Sequence, residues 1–165
     1  MSQIAIVPTR AAEGVYAPEV TVEVHSTTAS LPGFSIVGLP EAEVRESRDR
    51  VRAAFTSSNL DFPYGRLTIN LAPAELPKGG GRFDLPIALG ILAVSSQLPT
   101  DSLAGHEFYG ELGLTGQLRS VSGLLPAVLQ ASALRRRVIV PASNADEAGL
   151  VSSAHCHAAE TLLDV

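Results

Sequence analysis

The 165-residue chain has no tryptophan, one methionine and one cysteine. A lone cysteine cannot close a disulfide within the chain, so no disulfide framework can hold the fold, and a reducing cytoplasm is the compartment this composition suits. With aromatics at 5%, the core has to be assembled mainly from Leu, Val, Ile and Ala. No uninterrupted apolar run is long enough to cross a bilayer, which excludes a membrane-spanning helix, and the first residues lack the basic-then-apolar pattern of a signal peptide. Basic residues number 12 against 17 acidic ones, for a net charge of −5. That balance excludes a whole-surface nucleic-acid binder but leaves room for a local basic patch. What is present is a hydrophobic content of 45% with 18% charged residues, the composition of a globular protein. The length suits one ordinary domain, taken as residues 1–165.

Alternating apolar and polar residues predict strands over Gln3–Pro8 and Glu19–His25, where Val20, Val22 and Val24 share one face. Phe34–Val37 is a third expected strand, and the short connections among the three suggest an antiparallel meander. Pro40 opens a predicted helix over Glu41–Ser57, with Val44, Val51 and Phe55 on one face and Glu41–Arg45 and Glu46–Arg50 at i,i+4 on another. The arginines at 45, 48, 50 and 52 read as a salt-bridged, solvated surface rather than a phosphate-binding face. Arg66–Leu71 is a strand, and Asp84–Ser95 a buried helix with Asp84 as its N-cap and Pro86 in its first turn. A polar loop over Leu98–Gly105, a hairpin from Phe108–Leu112 to Gln117–Arg119, and a helix over Leu124–Leu134 follow. The remainder reads as a strand at Val138–Val140, a brief helix at Asn144–Gly149, a strand at His155–His157 and a terminal helix at Ala159–Leu163. Strands in a run, then alternating with helices, predict an α/β (α+β) domain: a mixed sheet with helices mainly on one face.

Between strand and buried helix lies NLAPAELPKGGGRFDLPIALGILA, Asn70–Ala93, with three successive glycines at Gly79, Gly80 and Gly81. A strand, a glycine loop and a helix start in that order often carry chemistry. A nucleotide phosphate cradle would need GxxxxGK[ST], but Lys78 precedes the glycines, and Asp84 stands at the helix mouth where it would repel phosphate. A metal site at His155-Cys156-His157 falls short of a ligand set, because a strand points the thiol away from the two imidazoles. His25 and His106 are isolated. No serine sits in a GxSxG elbow. These residues therefore predict neither a metal site nor a resident cofactor.

Three blocks, LPGFSIVGLPEAEVRESRDRVRAAF, LTINLAPAELPKGGGRFDLPIALGILA and GELGLTGQLRSVSGLLPAVLQA, resemble the N-terminal domain of the ComM/YifB family of magnesium-chelatase-like AAA+ ATPases. The resemblance covers nearly the whole chain, with the blocks in order. It implies a Lon-protease-like domain, of ribosomal-protein-type β-α-β fold, placed ahead of a hexamer-forming ATPase module that would bind ATP and magnesium beyond Val165. For the ComM branch it implies helicase action in DNA branch migration during natural transformation. Lon-type peptidases use a serine in a PKDGPSAG-like loop and a lysine after a GEITLRG…GGLKEK-like segment. Aligning Pro77-Lys78 and Gly80 with the first places Arg82 at the serine position. Aligning Gly110-Glu111, Leu114, Gly116 and Gly123-Leu124 with the second places Ala127 at the lysine position. A guanidinium cannot attack a carbonyl and a methyl group cannot act as a base, so both positions of this degenerate dyad are chemically silent.

The resemblance thus implies a non-catalytic assembly, regulatory or DNA-guiding domain. Its expected partners are its own ATPase module, neighbouring subunits and, as a further candidate, DNA. Arg66, Lys78, Gly79, Gly80, Gly81 and Arg82 form the expected contact loop, with local pairing of Arg82 to Asp84 or Glu75 as the bland alternative. Two competing functions remain at this point: an active peptidase with an unusual dyad, and a subunit of a metal-chelatase-type complex.

Overall fold

A computed structural model describes residues 2–165. The first part of the sequence forms β1 (Ser2–Arg10), β2 (Glu19–Thr27), β3 (Gly33–Val37), α1 (Ala42–Arg45), α2 (Ser47–Ser57) and β4 (Arg66–Ala72), followed by α3 (Asp84–Val94). The sheet order is β1-β2-β4-β3. β1 pairs antiparallel with β2, and β2 antiparallel with β4, placing Val7 beside Val22 and Val22 beside Leu71. One face of the sheet is thereby a continuous apolar layer of Ala5, Val7, Val20, Val22, Val24, Leu67, Ile69 and Leu71, all buried. Pro8 is accommodated because β1 lies at the sheet edge, where a missing N–H interrupts no ladder.

The expected meander is overturned. β3 does not join β2; it runs parallel to β4, with Ile36 opposite Ile69. The free edge of β2 is claimed by β4 over seven residues, which continues the buried valine face with Leu67, Ile69 and Leu71. β3 therefore becomes the opposite edge, and α1 and α2 form the crossover that a parallel pair requires. The helix expected over Glu41–Ser57 is interrupted at Glu46, which ends α1 and begins α2. Its inward face is as expected: Val44, Val51 and Phe55 are fully buried.

All residues of α3 are buried. The helix lies on the apolar face of the sheet, with α2 and Phe108, Leu112 and Leu118 completing its surroundings. At Gly90 it comes so close to β2 that a Cβ would run into Val24.

The second part contains β5 (His106–Phe108), β6 (Glu111–Leu112), β7 (Leu118–Arg119), α4 (Leu124–Ala133), β8 (Arg137–Pro141), α5 (Ala145–Ala148) and β9 (His155–Ala159). A parallel sheet in the order β5-β8-β9 is covered by α4, whose Ala127, Val128 and Ala131 meet Val138 and Val140 in a second apolar cluster. The expected hairpin is reduced to β6 and β7, because Phe108 belongs to β5 and Tyr109 donates its N–H to Ile139 O. The expected terminal helix is absent: Ala159 closes β9 opposite Pro141, and Thr161 and Asp164 then cap a short 3-10 turn over Leu162–Asp164. A similar turn, Thr100–Leu103, punctuates the polar loop before β5. Mixed sheets with helices make this an α+β fold. No helix among the described residues is long and apolar enough to cross a membrane.

Candidate functional site

The glycine loop leaves β4, turns back along the segment after β3, and leads into α3. Lys78 anchors it. Its side chain is fully buried, and the ammonium donates to Gly38 O at 2.7 Å and to Pro73 O. Lys78 N–H also donates to Leu39 O, and Glu41 N–H to Lys78 O, so the loop and the turn after β3 are laced together. Burial lowers the Lys78 pKa, with the charge of Glu75 acting against that shift. Lys78 thus closes a turn, with its ammonium buried against backbone carbonyls.

Asp84 is not an N-cap, and it is not the partner of Arg82. The helix begins at Asp84 after Phe83, with no side-chain cap. The Asp84 carboxylate is fully buried and accepts from Ser47 Oγ, from Arg50 Nε at 2.6 Å and Nη2 at 3.1 Å, and from Leu112 N–H at 3.0 Å. It joins α2, α3 and β6 at one point. The charged face read on α2 is therefore only partly a solvated one. Arg50 turns inward, its pKa raised first by the Asp84 hydrogen bond, while Glu46 remains its i,i+4 neighbour at 3.6 Å. Arg52 lies over the rings of Phe62 and Phe34, at 4.4 and 5.6 Å.

Arg82 is 4% exposed. Its Nη1 donates to Ser122 O at 3.2 Å, and its guanidinium lies over the Tyr109 ring at 5.5 Å. Nε and Nη2 are buried and have no hydrogen-bond partner among the described residues. Burial lowers its pKa, with nearby Tyr109 and Glu147 pulling the other way. Ala127 is fully buried one turn into α4, in the cluster that contains Tyr109. Arg82 and Ala127, the two positions aligned with the dyad by resemblance, thus both lie near the start of α4. Arg66 is not brought to the loop: it is exposed at the far end of β4, beside Gly33, about 20 Å of strand away.

Together these elements border a cleft of about 740 Å³, lined by Leu76, Pro77 and Gly79–Arg82 of the glycine loop, by Ala11–Glu13 after β1, and by Ser120–Ser122 before α4. Glu41 and Glu111 complete the wall, their carboxylates set against Gly79 and Gly81 so closely that a Cβ on either glycine would strike them. Those two carboxylates, and an ammonium committed to carbonyls, do not fit a nucleotide triphosphate. Ser120 and Ser122 are the hydroxyls of the cleft wall, and no histidine or lysine lines it beside them. Elsewhere, β9 exposes His155 and His157 and turns Cys156 toward the second apolar cluster, where burial raises its pKa. Among the described residues no group of three His, Cys, Asp or Glu side chains is placed to hold a metal ion.

Residues 22–144 match the family described as subunit ChlI of Mg-chelatase. The protein belongs to this family. It is similar to the competence protein ComM of Haemophilus influenzae, with 54% identity over 162 residues, covering 98% of this sequence and 32% of the relative. Similarity to the uncharacterized protein YifB of Salmonella typhimurium is 51% over 162 residues, with the same coverage. For YifB of Escherichia coli it is 50% over 159 residues, covering 96% of this sequence and 31% of the relative. The 165 residues therefore span about a third of the length of the curated relatives they match. The three magnesium-chelatase-like blocks fall on β3 through α2, on β4 through α3, and on β6 through α4.

Sequence reasoning did not find Ser47, Arg50, Tyr109 and Ser122 as members of this site. One signal was available for the first two: Asp84 begins an otherwise wholly apolar helix, and a buried carboxylate requires a cationic or hydrogen-bonding partner from elsewhere.

Proposed function

We propose that this domain is a non-catalytic, Lon-like assembly and regulatory module of a ComM-type magnesium-chelatase-like ATPase. ATP and magnesium then belong to the parts of that protein outside the 165 residues. The carrying observation is that Arg82, which the family resemblance aligns with a peptidase nucleophile, is a buried guanidinium held on Ser122 O and over the Tyr109 ring. Ala127, which the same resemblance aligns with the base, offers only a buried methyl group. Neither side chain can move a proton to or from a reacting peptide. The cleft is then a contact surface. Three glutamates, Glu13, Glu41 and Glu111, line it against one arginine. That charge balance favours a protein neighbour, such as an adjacent subunit, over the phosphates of DNA.

The test is incubation of the domain with casein and labelled peptides, together with a serine-reactive fluorophosphonate probe. We expect no turnover and no labelling. Turnover abolished by Ser120→Ala or Ser122→Ala would overturn the reading.

A further inference from the structure

Three arginines are held in the interior or close to it, and their Nε/Nη2 edges can be compared. Arg10 gives Nε to Glu107 Oε1 at 2.8 Å and Nη2 to Glu107 Oε2 at 3.1 Å. Arg50 gives the same two nitrogens to the two oxygens of Asp84. In both cases the side edge of the guanidinium is filled by one carboxylate in a two-point fork, the geometry in which arginine binds that group best. Arg82 is as buried as Arg10, at 4% against 5% exposed, yet its Nε and Nη2 meet no acceptor among the described residues. Its one hydrogen bond leaves from Nη1, at the other end of the fork, and the guanidinium carbon lies 5.5 Å from the centre of the Tyr109 ring.

Buried charged donors without acceptors are rare, because burial removes water without returning a partner. Arg82 differs from the other two in one further respect: it borders the 740 Å³ cleft.

We propose that this cleft receives a peptide carboxylate, which takes the Nε/Nη2 edge of Arg82 in the same two-point fork that Glu107 and Asp84 make with Arg10 and Arg50. The proposal rests on the reading of the cleft as a protein-contact surface and specifies its chemistry. A carboxylate is favoured over a phosphate by the rest of the wall. Glu13, Glu41 and Glu111 repel a polyanion, while they can accept the main-chain N–H groups or a basic side chain flanking a single carboxylate. The Arg82 edge is shielded from solvent in the structure, so admission takes a shift of the wall. The Gly79–Gly81 segment is suited to give it: it has no side chains to repack, and a Cβ at Gly80 would meet nothing within 4 Å.

The carboxylate can come from an Asp or Glu side chain or from the free C-terminus of a polypeptide, and four probes separate these sources. They are acetyl-Ala-Ala-Ala with a free C-terminus, its C-terminal amide, acetyl-Ala-Asp-Ala-amide, and inorganic phosphate. Each is titrated into the 15N-labelled 165-residue protein while the arginine Nε–Hε resonances are followed. The Arg82 signal, assigned by its loss in Arg82→Lys, is expected to shift saturably with at least one carboxylate peptide and not with the neutral amide. Arg82→Lys keeps the charge but loses the fork, and should weaken that peptide at least tenfold, read from the backbone amides of Gly79–Gly81. Circular dichroism checks that the variant is folded; if it is not, the wild-type comparison of carboxylate with amide decides alone. An Arg82 signal unmoved by every carboxylate probe, or moved by phosphate and not by carboxylate, overturns the proposal. Cleavage of the peptides by the wild-type protein would instead overturn the non-catalytic reading, and a carboxylate-dependent shift could stand beside it.

Discussion

Tyr109 is fully buried and its hydroxyl donates to Glu107 Oε1 at 2.6 Å. Burial pushes its pKa well above the usual 10, and the negative charge of Glu107 pushes the same way. The folded protein therefore holds this proton more tightly than the unfolded one does. The associated stability is intact below pH about 10, where both states are protonated, and is lost as pH rises from there toward the higher folded value. Absorbance at 295 nm should show one tyrosine ionising only together with alkaline unfolding. In Tyr109→Phe that component should vanish, and stability above pH about 10 should fall less steeply than in the wild type. At this same scale the sequence was least legible. Residue types in the glycine loop announced cations and an acid, but not their directions. Lys78 turns into the Gly38 and Pro73 carbonyls, Asp84 reaches across to Arg50, and Arg82 folds onto Tyr109. Most of these destinations lie on segments remote in sequence, so no local pattern encodes them.

Gly90 sets how closely α3 can lie on the sheet. Alanine there would favour the helix by about 1 kcal/mol through its propensity. The new Cβ would also collide with Val24, whose β-branched side chain has little freedom to turn aside. Overpacking of this kind costs about 1–3 kcal/mol, so Gly90→Ala should be destabilising by up to about 2 kcal/mol in urea unfolding. The loss should shrink in a Val24→Ala background if the contact is its cause. Elements were far more legible than contacts. Alternation located β1 and β2, and unbroken apolarity located α3, because burial face is written into residue spacing. Neighbour choice is not. Val20, Val22 and Val24 specify which face of β2 is buried but are silent on whether β3 or β4 takes its edge. That was decided by the buried row Leu67, Ile69 and Leu71, which arrives much later in the sequence. The alignment of Arg82 and Ala127 with a dyad came from family resemblance alone.

Across the whole molecule the two apolar clusters are joined by a buried charged knot as well as by packing. Glu107, fully buried on β5, accepts from Arg10 at the end of β1, from Tyr109 Oη, and from Arg136 just before β8 at 3.0 Å. Arg136 also reaches Glu19 at the start of β2, at 2.9 Å. Two guanidinium groups and a phenol thus converge on one carboxylate where the first sheet meets the second. The arrangement is costly to break, because Arg10 is 5% exposed and has no water to turn to. Glu107→Gln preserves size and one acceptor but removes the charge, leaving Arg10 without its counter-ion. Removal of one partner from a buried ion pair costs about 3–5 kcal/mol, and the loss is expected toward the lower end because Arg136 retains Glu19. Hydrogen exchange distinguishes a junction from a local prop. If Glu107 couples the two sheets, amide protection should fall together in Thr9–Arg10 of β1 and Arg137–Val140 of β8. Loss confined to β5 would show that the sheets are held together by their apolar contacts alone. The cleft gives the junction a functional bearing. Arg82 lines it and lies over Tyr109, and Tyr109 is held by Glu107, so a loosened junction should also broaden the Arg82 Nε–Hε resonance while leaving the Lys78 anchor of the loop in place.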